Sequence, residues 1–230
     1  MGALINSQIL APLSDPNWAS VVFLGHFDGA DNATSATDSS AAAHTITFSG
    51  TARLDTGVAK YGTAALEIPA GGDHINMAAS SDWSFGTSPG TWEGWAYVPA
   101  LNVSHPIFTI AGTDGFSLQA GGAVGGGGGQ YVTWSKAGVD VYGATVITTN
   151  TWHHFAAVFT GSRLRLYLDG VKDYDAAFTD TVGNASSTAR IGIDGGASGN
   201  AAWYDDVRIT KGVARYDSSF TPPSAAFPNF

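Results

Sequence analysis

The chain contains no cysteine, only two glutamates (Glu67 and Glu93), two methionines and ten Lys plus Arg among 230 residues. Without thiols there can be no disulfides, zinc–thiolate site or cysteine nucleophile, so stability must come from packing. The ten cations are scattered against nineteen acids, giving a net charge of −9. A phosphate backbone is held by clustered Lys and Arg, so nucleic acid is excluded as the expected ligand. No apolar run approaches the ~20 residues of a membrane span. The first ten residues carry no basic stretch of the kind that opens a secretory signal, and Asn6 stands where a myristoylation motif needs Ser or Thr. The near absence of Glu beside many Asp is also a statement about shape, because Glu favours helices whereas Asp settles in turns.

What the chain has in quantity is Gly, 30 residues, with seven Trp, eight Tyr and twelve Phe. Short runs of β-branched and aromatic residues alternate with Gly, Asn, Asp and Pro clusters, which predicts many short strands. They are expected at Val21–Phe27, Ala64–Ile68, His74–Met77, Thr91–Val98, Pro106–Ala111, Gly115–Gln119, Gln130–Ser135, Trp152–Thr160, Arg163–Leu168, Ala189–Ile193 and Trp203–Thr210. In Arg163–Leu168 three leucines alternate with Arg163, Arg165 and Tyr167. Asp169-Gly170 follows at once, a dipeptide suited to the positive φ angles of a tight hairpin, and Val171–Tyr174 can return as the partner. Trp152–Phe159 and Thr91–Val98 are apolar or bulky on both faces and are expected in mid-sheet. No segment sustains a helical apolar period. Strands without helical crossovers form antiparallel layers, and length and strand number favour an all-β, two-sheet sandwich over a barrel. Residues 1–19, with Pro12 and Pro16, read as an N-terminal arm or linker, and residues 20–230 as one domain.

Seven segments occur in a particular order: His26-Phe-Asp-Gly29, Tyr61-Gly-Thr-Ala-Ala-Leu66, Thr91-Trp-Glu-Gly-Trp-Ala-Tyr-Val98, Trp152-His-His-Phe-Ala156, Leu166-Tyr-Leu-Asp-Gly170, Arg190-Ile-Gly192 and Tyr204-Asp-Asp-Val-Arg-Ile-Thr210. In that order they resemble laminin G-like domains, the concanavalin A-like lectin/glucanase jelly roll. The end of the chain, Gly212-Val-Ala-Arg-Tyr216, Phe220-Thr-Pro-Pro223 and Ala226-Phe-Pro228, resembles the version carried by bacteriophage virion proteins. The resemblance implies a curved antiparallel jelly roll and a virion protein, capsid-decorating or tail-associated. It also implies attachment to other virion proteins through the arm, repeated copies in the particle as a homo-oligomer, and glycan binding. A free carbohydrate-binding adhesion module is the alternative, and a glycoside hydrolase a more distant one.

Relatives that cleave β-glucans use an E-x-D-x-E type strand motif. Glu67 and Glu93 are 26 residues apart, so paired catalytic carboxylates have no matching positions and no enzyme is expected. Glu93 is expected to be a strand-packing residue held by neighbouring hydrogen bonds. Relatives also staple first and last strands with Ca²⁺, and Asp28 and Asp205 match the positions that supply ligands, with Asp31 and Asp206 next. Asp205 shares strand parity with Val207 and Ile209 and is expected to face inward or lie at a rim, where a carboxylate needs a cation or donors; the alternative is that it caps backbone amides or pairs with Arg. Trp95, Tyr97, His153, Arg165 and Tyr167 are candidates for a glycan surface, since aromatic faces stack on sugar C–H surfaces. Adjacent His153 and His154 point to opposite faces of a strand and cannot share an ion. The Gly-rich run 121–129 has no Lys-Ser/Thr after it and reads as a hairpin tip, not a phosphate loop.

Overall fold

The computed structural model describes residues 14–101, 103–112, 114–121, 130–194 and 199–230. Residues 1–13, most of the Gly-rich run and Asn102 therefore lie outside the described residues.

Fifteen strands are present among them. In chain order they are β1 (Val21–Gly25), β2 (Ile46–Ser49), β3 (Arg53–Asp55), β4 (Ala65–Ile68), β5 (His74–Met77), β6 (Gly90–Tyr97), β7 (His105–Ile110) and β8 (Phe116–Ala120). There follow β9 (Val132–Lys136), β10 (Val139–Tyr142), β11 (Trp152–Phe159), β12 (Arg163–Leu168), β13 (Val171–Ala177), β14 (Ala189–Ile191) and β15 (Ala202–Lys211). One sheet of eight strands runs β13-β12-β11-β6-β15-β4-β3, with β1 added beside β15; the other runs β10-β9-β8-β7-β14-β5-β2. All pairings are antiparallel. The architecture is the expected two-sheet jelly roll, and the last strand closes beside the first.

The core lies between the sheets. Trp92 and Ala96 of β6, Phe155, Ala157 and Phe159 of β11, and Leu164, Leu166 and Leu168 of β12 meet Phe108, Phe116, Leu118 and Trp134 of the opposite sheet. Phe116 and Trp134 stack at 4.0 Å between ring centroids. β6 and β11 sit in mid-sheet, as their two apolar faces require.

Two hairpins follow from residues able to take positive φ at both central positions. Asp169 (50°) and Gly170 (74°) join β12 to β13, and Ala137 (51°) and Gly138 (79°) join β9 to β10. The strands at Ile46–Ser49, Arg53–Asp55 and Val139–Tyr142 were not anticipated. They are short edge or near-edge strands whose alternation is too brief to read.

Residues 14–19, read from sequence as part of an arm, are tied into the domain. Asp15 is buried against Arg208 and Arg215, its N–H donates to the carbonyl of Phe230 at 3.0 Å, and Trp18 packs on Val21, Leu24 and Phe227.

Candidate functional site

The outer face of the eight-stranded sheet divides into a covered centre and an open row. Residues 212–230 leave β15 and cross this face as a strap. The Thr91 hydroxyl donates to the Val213 carbonyl, the Tyr216 hydroxyl donates to Glu93 at 2.7 Å, and the Phe220 N–H donates to the Gly170 carbonyl. Tyr216 stacks on Phe220 at 3.6 Å, and Phe220 lies over Tyr167 and edge-on to His154.

Beneath the strap is a buried ionic cluster. Glu93 accepts from Arg208 Nε (3.0 Å) and Nη2 (2.8 Å), while Asp15 accepts from Arg208 Nη1 (3.0 Å) and Arg215 Nη2 (2.7 Å). Burial alone would raise the Glu93 carboxyl; the Arg208 and Arg215 charges and the Tyr216 hydroxyl outweigh it and hold the group below its ordinary range. Glu93 is thus fully committed to hydrogen bonds, as expected for a packing residue. His154 beside it is pushed down to about 4, first by burial, and neither ring nitrogen has a hydrogen-bond partner.

The strap corrects most of the expected glycan surface. Trp95 (6% exposed) is capped by Lys60, whose Nζ sits 3.9 Å over the ring, and Tyr167 is wholly buried with its hydroxyl donating to the Tyr216 carbonyl. Arg165 likewise donates to that carbonyl. His153 has the opposite strand parity and is tied at the rim between Asp169 (2.6 Å) and the Thr148 hydroxyl (2.8 Å). Alternation places Trp95, Arg165 and Tyr167 on the outer face, as observed, but is blind to an irregular segment that later covers them.

Tyr97 remains partly exposed, and the register gives it partners that the sequence reading missed. Trp152 of β11 and Trp203 of β15 stand directly opposite it on either side. Opposed residues in antiparallel strands share a face, so the three rings form one row across three strands. Tyr97 lies 5.9 Å from Trp152 and 5.5 Å from Trp203, with interplanar angles of 63° and 88°. The row continues through Glu67 and Arg53, paired at 2.7 Å, and Trp203 Nε1 donates to Asp55. All three aromatic residues are partly exposed. Nothing in their spacing of 55 and 51 residues along the chain hints at this row; strand order and register create it.

The acidic candidates are distributed around the seam of the first and last strands. Asp206 takes a left-handed φ of 51° at a bulge between Asp205 and Arg208. Gly94, opposite, makes room, since a Cβ there would meet Val207 Cγ2 at 2.9 Å. The extra residue reverses the parity, so Asp205 pairs with Trp95 on the outer face and not, as expected, on the face of Ile209. Its Oδ2 accepts from the N–H groups of Lys60 and Tyr61, while Oδ1 is buried without a partner, and burial raises the carboxyl to about 7. Asp206 is committed to His26 Nδ1 and the Phe227 N–H, both at 2.6 Å, Asp28 accepts from Thr63 and Asp31 from Asn32. Among the described residues no three His, Asp or Glu side chains converge on a point that could hold a metal. A cation at this seam would therefore rest on Asp205 Oδ1 and on Asp28, which flank the 60–63 turn, plus main-chain oxygens.

The strand order and pairing are those of a two-sheet jelly roll. The family model described as the Concanavalin A-like lectin/glucanases superfamily, of laminin G type, matches residues 69–215, and the chain belongs to that family. Among solved structures, domain 4 of AbnA, an extracellular arabinanase of Geobacillus stearothermophilus solved in complex with arabinotriose, is similar at 19% identity and a TM-score of 0.63, covering 84% of this chain and 93% of that one. The binding domain of Paraclostridial Mosquitocidal Protein 1 (13% identity, TM-score 0.61) and the receptor binding domain of botulinum neurotoxin D (14%, 0.59) are similar over 84% and 88% of this chain. The chain spans about half the length of these two toxin domains, 49% and 51%. No curated protein matches it.

Proposed function

We propose that the protein is a non-catalytic glycan-binding domain that uses the row Trp152–Tyr97–Trp203 as its sugar platform. The carrying observation is the register that lines up three partly exposed rings beside the part of the outer face that the strap covers. Rings in adjacent strands recur about every 4.8 Å, so a saccharide chain lying across the strands can meet them in succession, with Glu67 and Arg53 offering polar contacts at one end. The arabinotriose complex of one structural neighbour and the receptor-binding description of another support this reading. The non-catalytic part is supported by the occupation of both glutamates, Glu93 by Arg208 and Tyr216 and Glu67 by Arg53.

A glycan array followed by calorimetry tests the proposal. Each stacked ring contributes on the order of 1 kcal/mol, so the double variant Trp152→Ala/Trp203→Ala is expected to bind about 10- to 30-fold more weakly with its melting temperature little changed. Failure to bind any arrayed glycan, or unchanged binding by the double variant, refutes the platform.

The setting we propose is the surface of a phage particle, capsid or tail, with multiple copies attached through the residues that precede Asp15. The phage-like carboxyl end supports it, and that segment is the strap that seals the outer face. A calcium ion at Asp205 and Asp28 is proposed as a staple of the first-to-last strand seam. The buried, unpartnered Asp205 Oδ1 supports it. A chelator is then expected to lower the melting temperature of the parent and leave Asp205→Asn unaffected; an identical melt with and without chelator removes the ion.

A further inference from the structure

The outer face of the seven-stranded sheet, on the opposite side of the sandwich from the aromatic row, carries a row of a different chemistry. Ala189 and Ile191 of β14 enter the core, so Arg190 between them points outward. Asn76 of β5 and Thr109 of β7 stand opposite it on either side, and the register continues through Ser117 of β8 and Ser135 of β9 to Asp140 of β10. Opposed residues share a face, so six strands line up one polar side chain each. Thr109 and Ser117 are sunk at the middle, their hydroxyls hydrogen-bonded to each other at 2.9 Å, while Asn76, Arg190, Ser135 and Asp140 are partly exposed.

Arg190 is the member of this row that lacks a counterpart. Every other Lys and Arg among the described residues meets a carboxylate, a carbonyl oxygen or an aromatic ring. Arg190 meets none of these, and its Nε is buried without a hydrogen-bond partner. A guanidinium presents its N–H donors as a planar fork that matches the two oxygens of a carboxylate. At the far end of the row Asp140 Oδ1 is a buried acceptor without a partner, while Oδ2 accepts from the Tyr142 hydroxyl at 3.3 Å. The two ends are four strands apart, about 19 Å at the usual strand spacing, with the hydroxyls of Thr109, Ser117 and Ser135 between them. The complement of such a row is a short, hydroxyl-rich chain with a carboxylate at one end. Asp140 and the net charge of −9 disfavour a chain with repeated carboxylates.

We infer that this row is a second saccharide site, selective for an oligosaccharide that ends in a single acidic sugar, its carboxylate on Arg190 and its hydroxyls running toward Asp140. The assignment does not rest on the aromatic row. An array of uronate- and sialate-terminated oligosaccharides, each beside its carboxyl-reduced form, followed by calorimetry on the full chain, tests it. At least one acid is expected to bind at least tenfold more tightly than its reduced form, because reduction removes a charge-assisted, two-pronged contact. Arg190→Gln, a change on an outward position, is expected to melt like the parent and to bind acid and reduced form alike. Trp152→Ala/Trp203→Ala is expected to keep the preference for the acid in full, which separates this site from the proposed platform. Tetragalacturonate, with four carboxylates, is expected to bind more weakly than the best singly charged acid. Binding of no acid, equal binding of acid and reduced form, an unchanged preference in Arg190→Gln, loss of the preference in the double Trp variant, or tightest binding by tetragalacturonate overturns the assignment.

Discussion

Single residues beneath the strap carry unequal costs. Glu93, Arg208, Asp15 and Arg215 satisfy one another, so removing one strands its partners in a place water does not reach. Arg208→Met leaves Glu93 without its two shortest cationic bonds and Asp15 without one, and is expected to cost roughly 3–5 kcal/mol by chemical denaturation. His154 is the contrary case, a buried imidazole with no hydrogen bond to lose. Unfolding frees it to take a proton below pH 6.5, whereas in the fold it resists protonation down to about 4. Its contribution to stability is therefore present above pH 6.5 and lost as pH falls toward 4, on the order of 3 kcal/mol over that window. Glu93 and Asp15, both held below their ordinary values despite burial, extend the same loss to lower pH as they are protonated. His154→Phe, which preserves ring contact with Trp95 and Phe220, is expected to match the parent at pH 7 and exceed it at pH 5. Parallel stability–pH curves for the two proteins would refute this account of His154.

At the scale of elements, the Asp169-Gly170 turn does two jobs. It reverses β12 into β13, and its backbone seats the strap. A Cβ on Gly170 would stand 2.0 Å from the Phe220 carbonyl oxygen, at a φ of 74° that disfavours any side chain. Gly170→Ala is expected to destabilise by about 2 kcal/mol and to loosen the strap, measured as increased binding of a hydrophobic dye at Tyr167 and a lower melting temperature. A variant with unchanged melt and dye binding would show that the strap is not seated there. The hairpin itself was legible in the sequence, because the alternation of Arg163–Leu168 and the Asp-Gly dipeptide are local properties. So were β5, β11 and β15 to within a residue or two. The bulge at Asp206 was not, since it depends on Gly94 across the ladder, and it moved Asp205 to the other face. Trp95 and Tyr167 were placed on the correct side of their strands and still missed as a surface, because the aromatic residues that cover them come from a Pro-rich tail with no period. Tyr216, Phe220 and Phe227, three large rings in an irregular segment, were the available sign that this tail packs.

For the whole molecule, the described chain begins and ends at one place. Asp15 donates its N–H to Phe230, and its carboxylate ties β15 through Arg208 to the strap through Arg215. An attachment segment preceding Asp15 would leave the domain beside the strap, on the sheet that carries the aromatic row. The proposed anchor and the proposed sugar platform would then belong to the same sheet. This geometry separates two deletions that the sequence alone treats as one arm. Removing residues 1–13 is expected to leave the melting temperature and glycan binding intact and to abolish incorporation into particles, read by mass spectrometry of purified virions. Removing residues 1–19 takes Asp15 and Trp18 as well, leaves Arg208 and Arg215 short of a buried carboxylate, and is expected to cost a further 3 kcal/mol or so. If the shorter deletion still enters particles, attachment does not run through that segment. If the longer deletion melts like the parent, Asp15 is not the clasp that holds the chain ends together.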